Sequence, residues 1–377
     1  MRQQHMTIIK ALVVLLLAAG CGPTTQGLLT SAAEIPTSTS APEKQTPTLA
    51  PTDTPEPSTN TPQPPTNTPL PTSLPLHVES ELVGSIGPVY SLNWSPDGRN
   101  LASAGYRQVN LWDGEQEPVT LQGHKSYVWA VAWSPDGGLL ASGGQDGKLL
   151  IRDPSNQDAR DTLGDRWVFS VAWSPDGEKI ASGTSLGFVQ IWDVASGEKL
   201  IEYKPGEISE AISLGWSPDG NLIAEGLLNG TILLWDANSG VVNKTISDYT
   251  SRRTDVNGLA WSPDGKLLAT AHQDGPIRIW DVESGELHLQ LPGHRGWARG
   301  VAWSPNGELL ATTGSDSRVV LWDVQTGEQI VEFRQGGRPV WSVAWSPEGD
   351  YLAAGNGIYR NKNRNGEIFI LKVLPIP

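Results

Sequence analysis

The motif Trp94-Ser95-Pro96-Asp97-Gly98 decides the fold, because it returns six more times along the 377-residue chain. The later copies begin, with at most one change each, at Trp133, Trp173, Trp216, Trp261, Trp303 and Trp345. Start-to-start spacings are 39, 40, 43, 45, 42 and 42 residues. This period is typical of sheets of four short strands, arranged as blades around a central axis. The sequence therefore predicts an all-β chain of seven blades.

A second landmark follows most copies, an apolar run that ends in Trp-Asp at positions 112–113, 192–193, 235–236, 280–281 and 322–323. Arg152-Asp153 stands there in the second copy and Leu371-Lys372 in the seventh. With both landmarks in register, the chain resembles the WD-repeat (WD40-type) β-propeller family over residues 78–377. The resemblance implies a seven-bladed β-propeller of four-stranded antiparallel blades, whose strands a to d run from the axis outward.

The third copy illustrates the strands expected in each blade. We predict strands at residues 169–173, 179–182, 189–192 and 199–203, with a tight turn at residues 174–177 where Pro and Gly suit the backbone. The seven framework tryptophans fall on the innermost strand. We expect them to pack between blades rather than to bind a ligand.

The seventh copy ends at residues 368–373 without a fourth strand, and a strand-like segment at residues 78–83 precedes the first copy. We predict that this N-terminal strand becomes the outermost strand of the last blade and closes the ring. The chain has a single Cys, so no intramolecular disulfide is possible. The core and the closure must then hold a propeller domain of residues 77–377, which we expect to be monomeric.

Residues 1–20 read as a lipoprotein signal peptide. A basic start precedes an apolar run that is too short to span a bilayer. The run leads into Leu17-Ala18-Ala19-Gly20-Cys21, which resembles the lipobox of bacterial lipoproteins, although Ala18 stands where Leu is preferred. We expect lipidation of Cys21 and an extracytoplasmic protein anchored to a membrane of a bacterial cell envelope. An ordinary secretory signal is the alternative.

Residues 21–76 continue from the lipidated Cys into a segment dominated by Pro and Thr. Such a composition cannot form a core and favours polyproline II conformation, so we predict a disordered stalk between anchor and propeller. Its many Thr residues are compatible with O-glycans. A flexible tether without any further role predicts the same composition.

Charge and composition exclude several classes of function. The net charge of −14 makes the chain a poor partner for nucleic acid, and we expect membrane contact through the lipid anchor only. The six His show no metal-ligand spacing, and no phosphate loop, dinucleotide fingerprint or nucleophile elbow is present. We therefore predict no enzyme activity, no cofactor and no metal site.

The family resemblance also implies a structural hydrogen-bond network within each blade, formed by a His, a Ser or Thr, an Asp and the Trp of strand c. The sixth blade matches fully, with His294, Thr312, Asp316 and Trp322. The second blade supplies His124, Ser142 and Asp146 with Arg152 in place of the Trp, and the fifth lacks an obvious His. A His and an Asp beside a hydroxyl resemble a catalytic triad, but their recurrence favours a brace.

The variable loops indicate which face binds. In a four-stranded meander the a–b and c–d turns share one face, and the d–a and b–c loops share the other. The a–b and c–d turns are regular, so we expect the variation in repeat length, and with it binding, on the d–a/b–c face.

Aromatic residues gather where strand a begins on that face. The position four residues before each framework Trp carries Tyr90, Trp129, Phe169, Ile212, Asn257, Arg299 and Trp341, and two residues earlier stand Tyr127, Trp167 and Trp297. Basic residues interleave at Lys125, Arg166, Arg252, Arg253, Arg295 and Arg338. Trp, Tyr and Arg are enriched in interface hot spots. We therefore predict a binding site at Tyr90, Trp129, Trp167, Phe169, Trp297, Arg299 and Trp341; some of these rings could instead fill gaps between blades.

Taken together, these features predict a membrane-anchored scaffold that binds an unidentified protein or peptide. The alternative is a sensor that binds a small ligand or glycan at the aromatic channel mouth. An enzyme of propeller architecture is disfavoured, because its only polar cluster has a structural explanation.

Overall fold

The computed structural model describes residues 76–85, 87–114, 116–155, 159–162, 166–203, 210–247, 255–334, 337–359 and 365–373. The predicted signal peptide, Cys21 and the Pro/Thr segment up to residue 75 lie outside these ranges, as do Arg252 and Arg253. Within them the chain forms strands, with one short 3-10 turn at Ser185–Gly187. The fold is therefore all-β, as predicted.

Seven separate four-stranded antiparallel sheets make up the blades. The first strand of the chain, β1 (Leu76–Ser85), belongs to the last blade. The strands of the first three blades, from the axis outward, are as follows. Blade 1 contains β2 (Ser91–Trp94), β3 (Asn100–Ala104), β4 (Val109–Asp113) and β5 (Val119–Leu121). Blade 2 contains β6 (Val128–Trp133), β7 (Leu140–Gly144), β8 (Leu149–Arg152) and β9 (Ala159–Thr162). Blade 3 contains β10 (Val168–Trp173), β11 (Lys179–Thr184), β12 (Val189–Asp193) and β13 (Lys199–Tyr203).

The remaining blades repeat the pattern. Blade 4 contains β14 (Ala211–Trp216), β15 (Leu222–Leu227), β16 (Thr231–Asp236) and β17 (Val242–Ser247). Blade 5 contains β18 (Val256–Trp261), β19 (Leu267–His272), β20 (Ile277–Asp281) and β21 (Leu287–Leu291). Blade 6 contains β22 (Ala298–Trp303), β23 (Leu309–Gly314), β24 (Arg318–Asp323) and β25 (Gln329–Arg334). Blade 7 contains β26 (Val340–Trp345), β27 (Tyr351–Asn356) and β28 (Gly366–Val373).

Blade 7 takes its fourth strand from the N-terminal side of the chain. Strand β1 pairs antiparallel with β28, from Leu76 opposite Val373 to Ser85 opposite Gly366. The innermost strands of neighbouring blades are in contact all the way around, and β2 of blade 1 contacts β26 of blade 7. Strands from both ends of the described chain thus lie in one sheet of a closed ring.

The recurrent motif forms the turn between the first two strands of each blade. In blade 3 the Ser174 hydroxyl donates to Asp176 Oδ1 at 2.5 Å and accepts the backbone N–H of Lys179 at 2.9 Å. Asp176 Oδ1 also accepts the backbone N–H of Glu178 at 2.9 Å, and Gly177 has a φ of 72°. Ser and Asp therefore fix the turn, and Gly takes the backbone conformation that residues with a Cβ avoid.

The framework tryptophans pack against the neighbouring blade, as predicted. Their rings are buried or half-buried, and five of the seven indole N–H groups donate to a backbone carbonyl of the preceding blade at 2.9 to 3.3 Å. Trp216 instead donates to Gly220 in its own turn. These residues bury apolar area and join adjacent sheets with a directed bond, so the motif encodes blade packing as well as the turn.

Candidate binding face

The innermost strands line a central channel with three residues from each blade. The cavity there has a volume of about 210 Å³. All seven residues that stand four positions before a framework tryptophan are among its lining: Tyr90, Trp129, Phe169, Ile212, Asn257, Arg299 and Trp341. The structure thus brings together five of the predicted site residues around one opening.

The residues six positions before a framework tryptophan lie beside the b–c loops. In blades 2 to 7 the backbone carbonyl at this position accepts an N–H from the start of the b–c loop, as Trp167 does from Ser185 at 2.9 Å and Trp297 from Ser315 at 2.9 Å. This bond places the d–a and b–c loops on one face, which we call the mouth face. The three longest gaps between strands lie on this face: 357–365 is a b–c loop, and 204–210 and 248–255 are d–a connections.

A first aromatic cluster joins blades 2 and 3. Trp129 stacks on Phe169 with ring centroids 4.5 Å apart and planes at 18°. Trp167 meets Trp129 edge-on at 5.6 Å and remains 41% exposed. Leu186 of the neighbouring b–c loop is 51% exposed and has a positive φ of 70°, which a bulky side chain rarely adopts. An apolar surface is therefore open to solvent at this part of the mouth.

A second aromatic cluster joins blades 7 and 1. Tyr90 meets Trp341 edge-on at 5.4 Å and Tyr127 at 6.0 Å. Tyr359, from the b–c loop of blade 7, lies 5.5 Å from Trp341 and is 49% exposed. The Trp341 indole donates to the carbonyl of Gly357 at 2.8 Å, which fixes that ring against the same loop.

Arg299 lies between two indoles on the blade 6 side of the second cluster. Its guanidinium carbon is 4.4 Å from the ring centroid of Trp297 and 4.3 Å from that of Trp341. Burial lowers the pKa of Arg299 to about 10, although nearby Tyr359 and Asp255 act in the opposite direction. The group therefore stays charged at neutral pH, and cation–π attraction stabilises it in a partly desolvated position.

Two carboxylates occupy blades 4 and 5, at the position where other blades carry Trp167 and Trp297. Burial raises the pKa of Glu210, and the charge of Asp255 raises it further. Burial also raises the pKa of Asp255, which Arg299 partly offsets. Among the described residues, neither carboxylate forms an ion pair. The mouth is therefore aromatic and cationic on blades 6, 7 and 1, aromatic on blades 2 and 3, and acidic on blades 4 and 5.

Two of the basic residues noted near the mouth are paired with carboxylates in the structure. Arg166 reaches Glu202 of the outer strand at 3.6 Å, and Arg338 pairs with Glu367 at 2.7 Å. Both guanidinium groups turn to carboxylates of their own blade, so these two residues add little positive charge to the mouth. Arg252 and Arg253 lie outside the described residues, and Arg299 remains directed at the mouth.

The predicted brace of blade 6 is present with all four members. The Trp322 indole donates to Thr312 Oγ1 at 2.8 Å, His294 Nε2 lies 3.0 Å from the same oxygen, and His294 Nδ1 lies 2.8 Å from Asp316 Oδ1. The Thr312 hydroxyl thus connects the indole to the imidazole, and the imidazole connects it to Asp316.

The same brace explains why this His and Asp do not resemble a reactive pair. Burial would raise the pKa of Asp316, but hydrogen bonds and charge from His294 and the N–H of Arg295 outweigh it and lower the pKa to about 2. The His294 side chain is fully buried, and the Thr312 hydroxyl is bonded on both sides. No substrate can reach a hydroxyl held in this way, so the cluster stabilises the blade.

Other blades form the brace with substitutions. Blade 2 joins His124 to Ser142 at 2.9 Å and to Asp146 at 3.0 Å, as predicted. Blade 5, which has no obvious His in its d–a loop, uses His272 from strand b itself, 2.8 Å from Thr270. His272 and Thr270 are two residues apart on one strand, so their side chains share a face. That spacing is the sequence signal that was missed.

Blade 4 replaces the brace hydroxyl with a carboxyl group. Glu225 is completely buried, and its Oε2 accepts the indole N–H of Trp235 at 3.0 Å. Its Oε1 has no hydrogen-bond partner among the described residues. Burial raises the pKa of Glu225 to about 8, and the Trp235 bond only partly offsets this. The side chain is therefore largely protonated at neutral pH.

Glu210 and Asp255 are mouth residues that the sequence analysis missed. Both stand six positions before a framework tryptophan, the register at which Tyr127, Trp167 and Trp297 were noted. The signal that could have identified them is this position itself, compared across all seven blades for charged as well as aromatic residues.

The described part of the chain lacks two other kinds of site. No group of three or more His, Cys, Asp or Glu there is placed to hold a metal ion. No helix within the described ranges is long and apolar enough to cross a membrane.

Comparison with known protein families agrees with the seven repeats. The model described as WD domain, G-beta repeat matches five segments: residues 77–113, 116–153, 160–193, 285–323 and 327–360. The chain is a seven-bladed propeller that carries WD40 repeats. A second model, described as the anaphase-promoting complex subunit 4 WD40 domain, matches residues 242–297, so parts of blades 4 and 5 are also similar to WD40 repeats. No curated protein matches this WD40-repeat chain.

Proposed function

We propose that this WD40-repeat propeller is a non-enzymatic scaffold that binds a protein or peptide partner through its mouth face. WD40 propellers generally mediate protein–protein interactions, which supports the broad class. The observation that carries the choice of face is the exposure of two large aromatic side chains at the mouth, Trp167 at 41% and Trp297 at 44%. Large apolar side chains grouped at one opening are typical of interaction sites.

The surroundings of these two residues support the same conclusion. Each exposed indole contacts further side chains of the channel mouth, Trp129 in one case and Arg299 in the other. An anchor residue that is already held by its neighbours loses little conformational freedom on binding. The mouth therefore presents rigid aromatic anchors of the kind that carry much of the affinity in protein interfaces.

Photocrosslinking of the full chain to its surroundings tests whether the mouth face binds the partner. The wild type is compared with the double variant Trp167→Ala/Trp297→Ala. We expect specific crosslinks to disappear in this variant. Leu200→Ala is the matched control, because Leu200 is 49% exposed but lies on the outer strand of blade 3. Crosslinks that persist in the double variant, or that depend equally on Leu200, would place the interface elsewhere.

A small ligand or glycan at the mouth is the second candidate, and the stacked pair of Trp129 and Phe169 is the observation that favours it. The channel cavity of about 210 Å³ is smaller than the roughly 300 to 1,000 Å³ of typical small-molecule pockets. A sugar would then have to bind on the exposed indole of Trp167 rather than inside the channel. Glycan-array binding that is lost in Trp167→Ala would favour this candidate.

The proposal includes the location of the scaffold. The lipobox-like sequence before Cys21 supports a lipid-anchored protein on the extracytoplasmic side of a bacterial membrane, and the Pro/Thr segment that follows supports a spacer between anchor and propeller. Cys21→Ser is expected to prevent acylation and to move the protein from the membrane fraction to the soluble fraction. If the variant stays with the membrane, attachment does not depend on this cysteine.

A further inference from the structure

Arg299 has unused hydrogen-bonding capacity at the channel mouth. Its Nε is fully buried without a partner, no hydrogen bond from Nη1 or Nη2 to the described residues is formed, and the residue lines the channel cavity. A guanidinium group carries five N–H donors in a rigid fork. A partly desolvated guanidinium whose N–H donors have no partner is therefore suited to bind an anion, which would accept hydrogen bonds from it.

The walls of this site are apolar and partly exposed. Trp297 and Trp341 lie over the guanidinium, and Tyr359 packs on Trp341 from the b–c loop of blade 7. Trp297 and Tyr359 keep 44% and 49% of their surface exposed. An occupant that places an anion on Arg299 would also cover these two rings.

The charges around Arg299 restrict which anion fits. Arg166 and Arg338 are engaged by carboxylates of their own blades, and Asp255 acts on Arg299 from blade 5. A phosphate dianion would meet one guanidinium and a neighbouring negative charge. A planar, singly charged carboxylate matches one guanidinium fork through two parallel hydrogen bonds.

We propose that the mouth recognises a carboxylate of a peptide segment, seated on the fork of Arg299, with an apolar side chain of the same segment packed on Trp297 and Tyr359. This inference rests on the proposed function and names the chemistry of its partner. The carboxylate belongs either to an Asp or Glu side chain or to a chain terminus, since both present the same oxygens.

The test is selection of random peptides on the full chain, from one library with free C-termini and one with amidated C-termini. We expect enriched peptides to contain an acidic residue beside an apolar one, or to come from the free-acid library alone. These two outcomes distinguish a side-chain carboxylate from a terminal one. Enrichment without any carboxylate, or no enrichment at all, overturns the inference.

A variant of Arg299 then tests whether the peptide carboxylate binds to this residue. Arg299→Gln should weaken an enriched peptide by at least about tenfold, as expected for loss of a charge-assisted pair. The same peptide with a carboxamide in place of its carboxylate should bind the wild type and Arg299→Gln equally. If Arg299→Gln weakens both peptides to the same extent, Arg299 acts through the shape of the mouth and the inference fails.

Two further variants control for charge and folding. Arg295→Gln removes an exposed cation from the d–a connection just before the strand of Arg299, and should leave the affinity unchanged. Arg299→Lys keeps the charge and much of the packing but lacks the fork, so an intermediate loss is expected. If the carboxylate inference fails, the proposed function still predicts crosslinks that depend on Trp167 and Trp297. If no such crosslinks form, the proposed function itself is contradicted.

Discussion

Tryptophan has two different functions in this molecule, and its burial distinguishes them. Trp303 is 8% exposed and donates to Ala260 of the neighbouring blade, whereas Trp167 is 41% exposed at the mouth. We expect Trp303→Ala to lower the free energy of unfolding by about 3 to 5 kcal/mol, because it leaves a cavity between blades. Trp167→Ala should lower it by less than about 1 kcal/mol. Urea denaturation of both variants measures the difference, and equal losses would contradict the assignment of roles.

Glu225 makes the stability of blade 4 depend on pH. The folded-state pKa of about 8 lies above the ordinary value of 4.5, so the folded protein binds this proton more tightly than the unfolded chain does. The stabilisation is fully present below about pH 4.5 and is lost as the pH rises to about 8.

Glu225→Gln removes that proton equilibrium and should make the variant progressively more stable, relative to wild type, between pH 5 and pH 9. The free energy of unfolding of the variant should rise relative to wild type by about 3 to 5 kcal/mol, as expected for a pKa shift of this size. Thermal melts across this range measure it. Glu202→Gln is the control, because the pKa of exposed Glu202 is lowered and its ionisation does not change between pH 5 and 9. Parallel pH profiles for wild type and Glu225→Gln would contradict a protonated Glu225.

At the scale of elements, deletion of strand β1 is expected to have the largest effect on folding. It covers the outer edge of β28, and Leu82 packs into the core between blades 7 and 1. Deletion of residues 78–84 should expose that edge and core, and either unfold the protein or cause it to associate. Size-exclusion chromatography with light scattering and a thermal melt provide the test. A monomer with an unchanged cooperative melt would show that the ring does not need this strand.

The sequence predicted strands well where a repeated motif bounds them. In blade 3 the four strands lie at Val168–Trp173, Lys179–Thr184, Val189–Asp193 and Lys199–Tyr203, within two residues of the expected bounds. The N-terminal strand is longer than expected, because β1 follows β28 through two register shifts and reaches from Leu76 to Ser85. The ends of β1 are set by pairing with residues of β28 that are more than 280 positions away, so the local sequence does not mark where this strand begins and ends.

At the scale of the whole molecule, a sevenfold scaffold supports a mouth without sevenfold symmetry. The register of the repeats was sufficient to predict that Tyr90, Trp129, Phe169, Arg299 and Trp341 meet, since one position in every blade lines the channel. It could not predict that Arg166 and Arg338 turn to Glu202 and Glu367, because those choices depend on side chains of other strands. Nor did it reveal the acidic sector of Glu210 and Asp255.

The central claim is that the mouth face holds a protein partner while the rest of the propeller supports it. Proximity labelling from the intact protein in the cells that produce it tests this claim most directly, comparing wild type with Trp167→Ala/Trp297→Ala and with Leu200→Ala. The account predicts a defined set of labelled neighbours that is lost in the double variant and kept in the Leu200 variant. The same neighbours in all three proteins would contradict it.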